Sequence, residues 1–87
     1  MSDVRKGLER AADLIRERGW VQGHFGTEDG AVCISTAIYL AIGPTDIDAA
    51  VQSVHRELQL RGWQHGLIAW NDVDGRTLED VLELLEA

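Results

Sequence analysis

One cysteine and one proline occur among 87 residues, and basic side chains number only eight. A lone thiol, Cys33, leaves no intrachain disulfide to staple the chain. That fits a reducing cytoplasm and places stability on the core or on oligomerisation. The longest apolar stretch, residues 37–43, falls far short of the ~20 residues a membrane span requires. The first residues also lack the charged-then-apolar pattern of a secretory leader. A soluble cytoplasmic protein without a membrane partner is therefore expected. Fifteen acidic residues outweigh the eight basic ones, for a formal charge of −7 and a pI near 4.7. Phosphate backbones are gripped by clustered Lys and Arg, so a nucleic-acid partner is disfavoured. Glycine-rich phosphate loops and paired catalytic carboxylates are missing too, and no cofactor is expected.

The chain has enough length for one domain, taken as residues 1–87, and too little for two. Hydrophobic residues make up 45%, so it should fold rather than remain disordered. Charge is unevenly spread. Residues 1–18 are nearly neutral, whereas residues 72–87 carry six acids against Arg76 alone. Such a face is either simply solvated or aimed at a basic partner.

Apolar spacing predicts helices. Over residues 3–18, Val4, Leu8, Ala11, Ala12 and Ile15 share one face, which Leu14 widens. Ser2 can cap this helix, and Gly19 can end it. Over residues 46–61, Ile47, Val51, Val54 and Leu58 form a second stripe, with Thr45 and Asp48 at capping-box spacing and Gly62 as the stop. Residues 31–42 are apolar on nearly all sides, which suits a buried central helix, although a buried strand has the same signature. Residues 78–86 place Leu78, Val81, Leu82 and Leu85 on one face, with Thr77 and Asp80 as another capping pair. Gly30 and Gly75 mark turns before the last two of these segments. Residues 21–25 and 64–70 read as short extended pieces that can pair, with residues 26–30 as a turn. The expected fold is mainly α: a compact single domain of about four helices with a minor hairpin.

An offset of 43 residues sets Arg18-Gly19-Trp20-x-x-Gly23 upon Arg61-Gly62-Trp63-x-x-Gly66. Two helix–loop–helix halves related by duplication would produce this match. So would capping chemistry alone, since a glycine stop followed by an aromatic residue is a common helix ending.

Few residues suggest chemistry. Cys33 lies near a predicted helix start, where free N–H groups favour a thiolate. With His65 and Asn71 or Asp72 downstream, it is the basis for one alternative, a small cysteine-dependent hydrolase or transferase. A packed core thiol is the simpler role, and no catalytic residue is assigned. His24, His55, His65 and Cys33 lack the close-spaced pairs that preorganise a metal site, so no metal is expected. Trp20, Trp63 and Trp70 are three of only five aromatic residues. They act either as core posts or, for Trp20 and Trp63, as an exposed aromatic patch. Trp70-Asn71-Asp72 followed by Gly75-Arg76-Thr77 is the most distinctive stretch. Asn71 and Asp72 can close turns, and Arg76 can pair with a carboxylate or carbonyl. This corner of Trp70, Asn71, Asp72 and Arg76 is expected to be a lock on the final helix first and a binding site second.

The Arg-Gly-Trp helix end, the apolar segment bearing Cys33 and the Trp-Asn-Asp-x-x-Gly-Arg-Thr run together resemble a small domain family of unknown function from actinobacteria and their phages. The resemblance spans most of the chain, least so residues 43–60, and carries no assigned activity or cofactor. Small size, the missing catalytic spacing, the acidic C-terminal face and that distribution together lead to the expectation of a non-enzymatic accessory factor. It is expected to bind a protein, either of the host or a second copy of itself, within the cytoplasm of the host.

Overall fold

Five helices make up the regular structure of a computed structural model, which describes residues 3–26 and 30–87. They are α1 (Asp3–Arg18), α2 (Ile34–Ile42), α3 (Ile47–Leu60), α4 (Leu67–Asn71) and α5 (Leu78–Leu85). The fold is thus mainly α, as the apolar spacing predicts. Among the described residues there is no sheet, only two isolated bridges made by Val32. No helix among the described residues is long and apolar enough to cross a membrane.

One core joins all five helices. Leu8, Ala11, Ala12 and Ile15 of α1 meet Ile34, Ala37 and Ile38 of α2, while α3, α4 and α5 contribute Val54, Leu58, Leu67, Trp70, Val81 and Leu85. The stripe predicted for α1 is buried along Leu8, Ala11, Ala12 and Ile15, because residues three and four apart share a face. In α3, Val54 and Leu58 are buried as predicted, but Ala50 joins them and Val51 is only half-buried. α1 packs chiefly on α2, at a place where Gly7 is buried. A Cβ on Gly7 would overlap Ile42 Cγ1. Glycine there allows the two helices their close approach.

Helix ends follow the sequence unevenly. Gly19 and Gly62 both adopt left-handed conformations (φ 95° and 86°), so the repeated Arg-Gly-Trp stops act alike. Beyond them the copies diverge. Trp20 bridges to Val32, whereas Trp63 leads into α4. Thr77 and Asp80 form the full capping box expected for α5. The box expected from Thr45 and Asp48 does not form. α3 starts one residue later, with Asp46 as its N-cap and no side-chain cap bond. That shift leaves Ala49 at the third position, where nothing can reciprocate. The Ser2 cap lies outside the described residues, as do residues 27–29 of the expected turn.

Two further expectations are corrected. Residues 64–70 are not extended, since Leu67–Asn71 coils into a fifth helix that buries Leu67 and Trp70 three positions apart. Nor do they pair with residues 21–25. The partner of that segment is Val32: Val21 N donates to Val32 O (3.1 Å), Val32 N donates to Gly19 O (3.1 Å), and Cys33 N donates to Phe25 O (3.3 Å). Residues 31–33 are therefore extended, and α2 is shorter than predicted. Gly26 completes this crossing with φ 108°, in contact with the Ala31 backbone where no side chain would fit.

Candidate functional site

The distinctive Trp-Asn-Asp run falls at the end of α4, and its three side chains go to three different places. Trp70 enters the core, with 5% exposure. Asn71 is the only buried polar residue among those described, at 0% exposure. Asp72 is exposed.

Asn71 is a hydrogen-bond hub. Its Oδ1 accepts from Trp20 Nε1 (2.6 Å) and from Ile34 N (3.0 Å). Its Nδ2 donates to Val21 O (3.1 Å) and to Asp72 Oδ1 (2.9 Å). Trp20 Nε1 and Ile34 N can only donate and Val21 O can only accept, so the amide orientation is determined. The bond from Ile34 N also satisfies one of the orphan donors at the start of α2. Another goes to Cys33, whose Sγ accepts from Thr36 N (3.5 Å). The cysteine thus takes the capping role usually given to Ser or Asp. Gln22 closes the junction by donating to both Asn71 O and Val73 O (2.9 Å each). Nothing in the spacing of the sequence identified Gln22.

Asp72 pins the other side. Its carboxylate accepts from Gly23 N (2.9 Å). That bond, then the one from Asn71 and the charge of His24, hold its pKa below the ordinary carboxylate value. Arg76 completes the corner with a main-chain partner: Nε donates to Trp70 O (2.9 Å). Its guanidinium lies over the Trp70 ring, 4.0 Å from the centroid.

Two clefts border α4 and share no lining residue. The smaller encloses about 120 Å³ and is lined by Gly23, His24, Phe25, Cys33, Ile68 and Asp72. Phe25 and Ile68 are 63% and 47% exposed there. The larger, about 310 Å³, is lined by Trp63, Trp70 and Arg76 together with the turn ending α3 and the acidic side of α5. Trp63 therefore joins Trp70, while Trp20 turns its indole N–H inward to Asn71. Trp63 bonds Gly66 O through Nε1 (3.2 Å) and meets His65 edge-on, at 5.2 Å between centroids.

Cys33 is 3% exposed. The histidine sharing its cleft is His24, not His65, which lies in a separate cleft with His55. No group of three or more His, Cys, Asp or Glu side chains is placed to hold a metal among the described residues. The sequence raises His24 only as a metal ligand and gives no signal for Phe25 or Ile68, because isolated residues in short connections carry no periodicity.

These features define a small all-helical domain whose distinctive residues are divided between a buried junction and two surface clefts. The chain belongs to a family of unknown function, DUF6197, which matches residues 1–87. No curated protein matches it. No solved structure does either.

Proposed function

We propose that this protein is a non-enzymatic interaction module that docks a basic segment of a partner protein on the Phe25–Ile68 face. The observation that carries this reading is the pair of exposed apolar side chains, Phe25 and Ile68, at a recess of about 120 Å³. Such a recess has room for one aliphatic side chain. Asp72, kept ionised by Gly23 N–H, stands at its edge, on a chain of charge −7. Lys or Arg beside an apolar anchor would complement both features. The same net charge opposes self-association and favours a foreign partner over a second copy. The resemblance to proteins of actinobacteria and their phages supports an accessory role toward a host protein in the cytoplasm.

The test is an array of peptides carrying Leu, Ile or Phe flanked by either Lys/Arg or Asp/Glu. Basic peptides should bind, more weakly as salt rises. A Phe25→Ser/Ile68→Ser variant with an unchanged urea midpoint should lose roughly tenfold or more in affinity, as expected for removal of anchoring side chains. Equal binding of acidic peptides, or an undiminished variant, would refute the reading. Sedimentation showing a dimer that this variant abolishes would put a second copy in the partner's place.

A second reading, a small cysteine-dependent hydrolase or transferase, draws on the meeting of Cys33, His24 and Asp72 around one cleft. Against it, each is already engaged: Cys33 with Thr36, His24 Nδ1 with Gly26 N, and Asp72 with Gly23 N. Thiol alkylation separates the two readings. Labelling of Cys33 in the folded protein at the rate of a free thiolate supports an enzyme. Labelling only upon unfolding removes it.

A further inference from the structure

We infer that the cleft between the end of α3, α4 and α5 is a binding site for a planar aromatic carboxylate. It is separate from the Phe25–Ile68 face, and the inference does not depend on that face. Its volume, about 310 Å³, lies at the small end of the range for ligand pockets. That suits one small planar ring system with an acidic substituent.

The chemistry follows from which charges are already used. Arg61 is held by Glu57 (3.1 Å) and Glu83 (3.8 Å). Asp80 accepts from Thr77 N in the capping box (3.0 Å). Arg76 differs. Its Nε is bonded to Trp70 O, but neither Nη group has a hydrogen-bond or ion-pair partner among the described residues. The guanidinium packs over Trp70, and its two Nη groups remain for a carboxylate to bridge with two parallel bonds. Trp63, which lines the same cleft, would give a ring a flat indole to stack on. A cation is the wrong occupant, because Arg76 already fills the cation site on the Trp70 face and would repel another.

Titration with benzoate and indole-3-carboxylate, followed through the indole N–H resonances of Trp63 and Trp70, tests this directly. Both signals should shift saturably with the acids and not with benzamide or benzylamine. Arg76→Lys keeps the charge but loses the paired bonds and should weaken binding roughly tenfold. Glu83→Gln is the second variant, at a side chain 73% exposed. Removing its charge should tighten an acid several-fold, as like-charge repulsion falls. A damaged fold cannot mimic that gain. An equal response to benzylamine, no saturable shift, or weaker acid binding by Glu83→Gln would overturn the proposal. The source of the ligand is read from a peptide ending in Phe with a free carboxylate. Tighter binding than benzoate identifies a chain terminus, and weaker binding identifies a free aromatic acid. Equal binding by the amidated peptide counts against the site.

Discussion

Asn71 shows how a single polar side chain can hold three segments together. All four of its hydrogen-bonding positions are filled, by Trp20, Ile34, Val21 and Asp72. Asn71→Ala would leave the buried Ile34 N–H and the half-buried Trp20 indole N–H and Val21 carbonyl without their partner. Each such loss costs about 1–3 kcal/mol, so the variant should lose on the order of 3 kcal/mol or more in urea denaturation. Against the ~5 kcal/mol expected of a small domain, that would remove more than half of the stability. Asp72 behaves differently because it is exposed and ionised. Its pKa is depressed in the folded state below the ordinary 3.8. Its contribution is therefore present above that value and lost as pH falls through the lower folded value. Asp72→Asn should flatten the stability profile in that acid range; a profile identical to wild type would remove Asp72 from the junction. The corner residues Trp70, Asn71, Asp72 and Arg76 were all legible as a distinctive run. Their division among a core, a junction and two clefts was not, because adjacent residues at a helix end point in different directions.

Local chemistry decides the ends of some helices, and packing decides others. α5 has eight residues, too few to persist alone. Its box between Thr77 and Asp80 satisfies two donors at once. Thr77→Ala should therefore cost about 1 kcal/mol, while Thr77→Ser should cost little; urea midpoints measure both. The α1–α2 contact is governed by space instead. Gly7→Ala gains helix propensity, yet its new methyl meets Ile42, and overpacking of this kind costs about 1–3 kcal/mol. In an Ile42→Ala background the same substitution should be neutral or stabilising, and a double-mutant cycle exposes the coupling. α4 is the element that the sequence concealed. Five residues span little more than one turn, and two buried side chains three apart do not establish a period.

Across the whole molecule, one core with contributions from every helix predicts one cooperative transition. Far-UV ellipticity and tryptophan fluorescence should report the same urea midpoint. The ion pairs of Arg16 with Asp13 and Glu86 lie at the surface, and Arg16→Gln should leave that midpoint unchanged. Separate transitions by the two probes would show that the junction around Trp20 and Asn71 opens independently. The sequence by itself determined the helical class, the buried face of α1, the Val54 and Leu58 part of the α3 face, the glycine stops and the α5 cap. Each of these depends on neighbours within a turn or two, where spacing and side-chain type suffice. Only the tertiary structure decided that α2 begins at Ile34, with its first N–H held by Asn71 37 residues away. It also decided that residues 21–25 cross Val32 and that Trp63 and Arg76 line one cleft. Those outcomes depend on buried polar groups finding partners across the chain, and hydrophobic periodicity records burial without recording which partner lies opposite.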